Sequence, residues 1–307
     1  MTAGDGPGTP ADDGGNEGDD PDDGRERPDD GRFERGRTIE LFDRLDDVRA
    51  RLAESTGLLL CTDFDGTLAP ITDDPDESGI TPANDEALRA LAERENVAIA
   101  VISGRGAEDV AARVGIPEFA YAGNHGLELT RKGGTTTHPI AAERAERIEA
   151  LLADLAERLA DVDGVVFENK GVSGTVHYRG VNSTDVSRVE SAVEAAFAEH
   201  GDGLERSSGK EIVEIGPAIP WDKGRVISLL NEDIPRGWVS AYLGDDTTDE
   251  TAFRALGEEG ISVFVGSEDE TAAQYRVPDP DGVARFFDWL AGEGAAALAS
   301  DPSTAGR

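Results

Sequence analysis

Apolar residues along the chain recur in two rhythms. Leu41, Leu45, Val48 and Leu52 fall at helical spacing, and GLLLCTDF then forms a short apolar run with strand character. DEALRALAERE reads as a helix, VAIAVIS as a strand, EDVAARVG as a helix and FAYAG as a strand. From residue 127 the rhythm changes. LELTRKGGTTTH predicts a hairpin turning at Gly133-Gly134, and ERIEALLADLAERLA a long amphipathic helix. GVVFENKG with GTVHYRG predicts a second hairpin, VSRVESAVEAAFAEH a helix, and GLERSSG with KEIVEIGP a third hairpin. The first rhythm then resumes through KGRVISLLNE, GWVSAYLGDD, DETAFRALGE, ISVFVG and VARFFDWLA.

Alternating strands and helices at both ends predict an α/β fold, a doubly wound parallel core interrupted by an inserted α+β domain. The expected divisions are a core of 38–127 with 219–295, an insert of 128–218, a disordered acidic segment 1–37 and a flexible tail 296–307. Residues 1–37 hold twelve Asp and Glu against five Arg, with Phe33 their only large apolar residue after Met1. Such a segment buries too little surface to offset the entropy of ordering it.

Charge narrows the function. The 307 residues carry 29 Lys and Arg against 64 Asp and Glu, a net charge of −35. An excess of this sign repels nucleic acid and anionic membranes, so neither is an expected partner. No apolar run is long enough to span a bilayer, and MTAGDGPGTP has neither a basic nor an apolar signal region. The single Cys61 rules out an internal disulfide framework. A reduced, cytoplasmic location is expected. Acidity combined with only four lysines resembles proteins adapted to a high-salt cytoplasm.

In open α/β sheets, ligands sit beyond the carboxyl ends of the strands. Three polar clusters fall there: DFDGT after GLLLCT, SGR after VAIAVI, and GDDTTDE after SAYL. Asp63 and Asp65, two residues apart at the mouth of a buried strand, repel one another and lose hydration, a cost that a divalent cation relieves. Strand geometry aims i and i+2 the same way, so one carboxylate is able to attack while the other handles protons. Lys223, in WDKG at a helix start, is one of the four lysines.

The order DFDGT, SGR, Lys223, GDDTTDE resembles the haloacid-dehalogenase-like (HAD) phosphohydrolases. The resemblance implies Asp63 as nucleophile, Asp65 as acid and base, Ser103 holding a phosphoryl oxygen, and Lys223 offsetting charge. It implies Mg²⁺ bound by Asp63, the main-chain carbonyl of Asp65 and Asp245, with Asp249 close by, orienting a water or Lys223. It sets Phe64 and Arg105 beside the substrate phosphate; Arg105 as a structural ion pair remains an equal alternative. Glu250 reads as a helix-start carboxylate.

NHGLE, FENKGVSGTVHYRG and EIVEIGP further resemble the trehalose-6-phosphate phosphatases, in which the insert is a cap over the site. By that resemblance His125, Glu168, Lys170, His177, Arg179 and Glu214 contact the sugar. Gly216-Pro217 stands where that family commonly has Arg-Pro, so one expected cation is missing. The expected substrate is a small sugar phosphate and the expected state a monomer, with association with a trehalose-phosphate synthase left open. Within the same chemistry the alternatives are sucrose phosphate, mannosyl-3-phosphoglycerate or glucosylglycerol phosphate as substrate. A receiver-like signalling domain and a non-catalytic solute-binding protein are the alternatives from other classes. His138 and His200 read as surface residues, while Trp221 either borders the site or packs in the core.

Overall fold

The computed structural model describes residues 38–300 apart from 73–74, 133, 210 and 268–269. The acidic segment 1–37 and residues 301–307 of the expected tail lie outside these. In chain order the elements begin β1 (Ile39–Glu40), α1 (Leu45–Ala53), β2 (Gly57–Thr62), α2 (Pro82–Ala92), β3 (Val97–Ile102), α3 (Ala107–Val114) and β4 (Ala120–Gly123). There follow β5 (Glu128–Arg131), β6 (Gly134–Thr137), α4 (Pro139–Arg158), β7 (Val166–Asn169), β8 (Gly174–His177), α5 (Val186–His200), β9 (Leu204–Ser208) and β10 (Ile212–Pro217). The chain closes with α6 (Lys223–Asp233), β11 (Trp238–Gly244), α7 (Glu250–Leu256), β12 (Ile261–Val265), β13 (Tyr275–Val277) and α8 (Pro280–Trp289). Beyond α8, Ala299 N–H donates to Ser55 O at 2.8 Å.

One sheet of nine strands runs in the order β1-β13-β12-β11-β2-β3-β4-β5-β6. It is parallel from β1 through β4 and antiparallel across β4, β5 and β6. All six residues of β2 are buried, because helices cover both faces. Its side chains alternate between two cores. Leu58 and Leu60 join the cluster with Val101, Leu88 and Phe286, while Leu59 and Cys61 join Ile227, Tyr242 and Phe253 on the opposite face. The helices start where polar side chains cap them. Thr81 accepts from Asn84 N–H ahead of Pro82, and Asp222 accepts from Arg225 N–H at 2.9 Å.

The second sheet is antiparallel, in the order β7-β8-β10-β9. Its back face packs Val176, Val213 and Ile215 against Ile148, Leu151 and Leu155 of α4 and Val189 and Val193 of α5. The second and third expected hairpins form this sheet. The first, β5 with β6, instead extends the edge of the large sheet, although the expected insert began at residue 128. A small cluster of Leu127, Ala141 and Val172, with Trp221 and Ile219 against it, joins the two sheets. No helix among the described residues is long and apolar enough to cross a membrane.

Candidate active site

Beyond the end of β2, Asp63 N–H donates to Leu243 O at 2.8 Å, which locks the end of β2 to that of β11. Lys223, the first residue of α6, reaches into the same place. Its Nζ donates to Asp63 Oδ1 at 2.8 Å and Asp249 Oδ1 at 2.6 Å. Asp249 is fully buried. Its Oδ1 also accepts from Tyr242 O–H at 2.5 Å, and its Oδ2 from Asp246 N–H at 2.9 Å. Asp249 is therefore the residue that aims Lys223. Asp246 serves as the cap of the turn Thr247–Asp249, and Glu250 accepts from Ala272 N–H at 2.9 Å.

Asp63, Asp245 and Asp249 bring carboxylate oxygens within 4.8 Å of one another. Two motif glycines make that approach possible. A Cβ on Gly66, whose φ is +80°, would lie 2.0 Å from Asp245 Oδ2, and one on Gly244 would lie 2.3 Å from Asp249 Cγ. Burial pushes the Asp63 carboxyl well above its usual range, and the neighbouring carboxylates add to this while Lys223 opposes it. Burial and then Asp249 push Asp245 up to about 7. Burial pulls the Lys223 ammonium down, yet Asp63 and Asp249 hold it above its ordinary value.

Once ionised, three carboxylates against one ammonium leave two uncompensated negative charges, all on hard oxygen donors. That set fits a divalent cation such as Mg²⁺, with Asp63 and Asp245 the better-placed ligands because the oxygens of Asp249 are already engaged.

Asp65 faces elsewhere. Its Oδ2 accepts from Arg105 Nε at 2.7 Å, and its Oδ1 from Arg105 NH2 and from Ser78 Oγ, each at 2.8 Å. The strand geometry that would aim it beside Asp63 does not reach it, because β2 ends at Thr62 and the chain bends at Phe64, and its side chain stays outside the acidic trio. Phe64 also differs from expectation. Its ring is fully buried in the core with the Arg105 guanidinium 5.7 Å from its centroid, so the side chain is packing and does not line the cavity. Ser103 is buried at the end of β3, where its Oγ accepts from Arg105 N–H at 3.1 Å.

The second sheet presents its polar face to this group. Along β10, Val213 and Ile215 are buried while Glu214 and Gly216 are half-buried. Register carries the polar side across the strands, for Glu168 pairs with Thr175, Thr175 with Glu214, and Glu214 with Ser207. His177 lies two residues from Thr175, on the same face. Its Nε2 stands 3.2 Å from Glu168 Oε2, whose carboxyl falls below the usual range chiefly through that bond. Lys170 Nζ lies 3.7 Å from Glu168 and donates to Gly104 O at 3.2 Å, touching the SGR loop. Glu214 Oε1 is 3.9 Å from His125 Nε2, and the interaction with His125 outweighs the opposing effect of burial and leaves its carboxyl at about 2.

Between the two sheets lies a cavity of about 450 Å³ whose walls include Gly104, His125, Lys170, Glu214, Trp221 and Lys223. It thus runs from the buried lysine to the second sheet. Arg179 is half-exposed and pairs with Glu211 at 3.5 Å, away from these walls. His138 is a packing residue rather than a surface one, with its ring 4.8 Å from that of Trp221, while His200 lies 3.5 Å from Asp154.

Sequence reasoning missed several residues of the site. Asn124 donates to Glu128 Oε2 at 2.8 Å and to Lys170 O at 3.2 Å, and accepts from Ser173, so it ties the NHG turn to the second sheet. The signal available was the residue type before His125-Gly126, since Asn tolerates left-handed backbone better than most residues, and it adopts that backbone here at φ 51°. Tyr242, Ser78, Thr175 and Ser207 carried no such signal.

A family model described as Trehalose-phosphatase matches residues 61–281. A trehalose-phosphate phosphatase of Mycobacterium tuberculosis (strain ATCC 25618 / H37Rv) is 40% identical over 238 residues, covering 75% of this chain and 60% of that protein. The chain thus spans about three-fifths of the length of the curated relatives it matches. Among solved structures, a trehalose-6-phosphate phosphatase related protein superposes with a TM-score of 0.68 at 23% identity, covering 78% of this chain and 99% of that one. The trehalose-6-phosphate phosphatase C-terminal domain of C. albicans gives 0.67 at 23% identity, covering 83% and 99%.

Proposed function

The chain belongs to the trehalose-phosphatase family, with a HAD-like fold, and from that premise we propose that it hydrolyses trehalose 6-phosphate to trehalose and inorganic phosphate. One observation carries the reading. The buried lysine that grips the buried Asp63 carboxylate lines a cavity whose other wall is the polar face of the second sheet.

A Mg²⁺ held by Asp63, Asp245 and the Asp65 carbonyl would supply charge neutralisation between the attacking carboxylate and the phosphate dianion. The chain's own residues do the rest. Lys223, anchored by Asp249 and Tyr242, is set beside Asp63 as a fixed cation at the phosphoryl oxygens. An Asp63 oxygen attacks phosphorus and the bridging P–O bond breaks, giving an aspartyl-phosphate. The electron pair leaves on the sugar oxygen, which takes a proton from Asp65. Asp65 then accepts a proton from water as that water opens the aspartyl-phosphate, releasing phosphate and restoring Asp63. Glu214, Lys170 and His125 offer charged and hydrogen-bonding groups to the hydroxyls of a disaccharide.

Phosphate release over a panel of sugar phosphates, with Mg²⁺ and with excess EDTA, tests this. Trehalose 6-phosphate should exceed sucrose phosphate, mannosyl-3-phosphoglycerate and glucosylglycerol phosphate in kcat/KM by about tenfold or more, a difference of about 1.4 kcal/mol in the transition state. Asp63→Asn should lose activity by about a thousandfold or more, as loss of a covalent nucleophile does. Preference for another substrate on the panel would overturn the substrate assignment, and full turnover by Asp63→Asn the mechanism.

A further inference from the structure

Arg105 and Asp65 are bound to each other in a way that conflicts with the tasks each has to perform. A guanidinium presents its donors as a rigid fork, and the Nε and NH2 edge of Arg105 is committed to the two oxygens of Asp65 at 2.7 and 2.8 Å. Its NH1 donates to Asp109 at 3.3 Å. A phosphate gripped by that same edge has to displace Asp65. Asp65, in turn, is held outside the acidic trio while both of its oxygens accept from Arg105. The pair is held for this purpose from both sides. The Arg105 main chain is fixed by Ser103 Oγ and by Asn124 N–H donating to its carbonyl at 2.7 Å. Ser78, which is buried and donates to Asp65 at 2.8 Å, is itself tied to α3 by Arg113 donating to its carbonyl. Arg105 is also adjacent to Gly104, the residue on which Lys170 of the second sheet lands.

We propose that Arg105 is an exchange residue, holding Asp65 aside in the unliganded protein and passing to the incoming phosphate, so that the proton-transfer carboxyl is released only when a phosphoryl group has arrived. The inference rests on the phosphatase reading for the role of Asp65 but not on the identity of the sugar. A phosphate dianion outbids a single carboxylate for the fork because it offers more charge and three acceptor oxygens in place of two. Without substrate, the carboxyl that would otherwise direct water at the site stays engaged.

Binding of inorganic phosphate to the full chain in the presence of Mg²⁺, followed by calorimetry, tests the exchange through a double-mutant cycle. If phosphate has to break the Arg105–Asp65 pair, Asp65→Asn frees the fork and should tighten phosphate binding by about tenfold, the scale of a charge-assisted bidentate pair. Arg105→Gln should weaken binding by about tenfold, and in that background Asp65→Asn should change it by less than about twofold. Arg105→Lys, whose ammonium cannot fork, serves in its place should Arg105→Gln not fold. An equal gain from Asp65→Asn in both backgrounds would mean that only a negative charge had been removed, and the exchange would be refuted. It would equally be refuted by wild-type affinity in both Arg105 variants, or by no gain from Asp65→Asn alone. Because the probe is phosphate alone, failure of trehalose 6-phosphate as a substrate leaves this cycle untouched, and the two failures are read separately.

Discussion

At the scale of single residues, the site is an unbalanced charge group. Asp63, Asp245 and Asp249 share one ammonium, and two of them titrate above their ordinary range because burial and mutual repulsion disfavour ionisation. The consequence for stability has a definite sign. The folded, metal-free chain binds these protons more tightly than the unfolded chain does. That contribution is therefore intact below the unfolded carboxyl value near 4 and is lost as pH rises towards about 7 at Asp245. A divalent cation replaces the protons, and it does so at no protonic cost only when they have already left. Saturating Mg²⁺ should thus raise the melting temperature more at about pH 8 than at about pH 5, by about 5 °C for a chain of this size. Thermal scans at the two pH values, with Mg²⁺ and with EDTA, check it; equal shifts at both would mean that the cation binds elsewhere. The charged members of this group were legible in the sequence because each falls in a short motif at a strand end. Tyr242 was not, since in WVSAYLG it reads as one more apolar strand residue, and only the fold shows its hydroxyl on Asp249. Ser78 was equally silent, lying thirteen residues from the carboxylate it holds.

At the scale of elements, what matters is how the end of β4 is tied to the second sheet. Asn124 and His125 both adopt left-handed backbone, at φ of 51° and 55°, and the chain reverses there to run antiparallel as β5. The alternation in LELTRKGGTTTH told of two strands but not of which sheet they would join. That choice depends on the pairing of Tyr121 with Thr130 and Ala122 with Leu129 across this turn, a tertiary fact without a local signature. The second sheet was more legible, because its hairpins alternate buried and polar positions and so declare which side faces the cavity. Asn124 is the joint between the two. Asn124→Ala removes its bonds to Glu128, Lys170 and Ser173 and leaves a non-glycine residue in left-handed backbone. It should cost about 2–4 kcal/mol in urea unfolding, a sum of lost hydrogen bonds and backbone strain. Because Lys170 and His125 shift with it, KM for the sugar phosphate should rise more than kcat falls. A variant with wild-type stability and KM would show that the joint is held by the Leu127, Ala141 and Val172 cluster alone.

At the scale of the whole molecule, the dominant quantity is the net charge of −35. The ion pairs of the described residues are mostly of Arg with Asp or Glu, many of them one helical turn apart, such as Arg89 with Asp85, Arg158 with Asp154 and Arg254 with Glu250. Pairs of this exposed kind contribute about 0–1 kcal/mol each and weaken with salt, so screening removes some local attraction. It also removes a repulsion that every one of the excess carboxylates feels. With 64 acidic residues against 29 basic ones, most carboxylates have no cation to lose, and the repulsive share is the larger. Salt should therefore stabilise the fold, raising the melting temperature by about 5–10 °C between low ionic strength and molar KCl, over which the screening length falls to about 3 Å. The same screening acts on the substrate, since a phosphate dianion approaching this surface is repelled at long range, and kcat/KM should rise with KCl before any loss from competition by chloride. A melting temperature that fell with KCl would mean that the arginine pairs, and not the excess carboxylates, govern the stability of the chain.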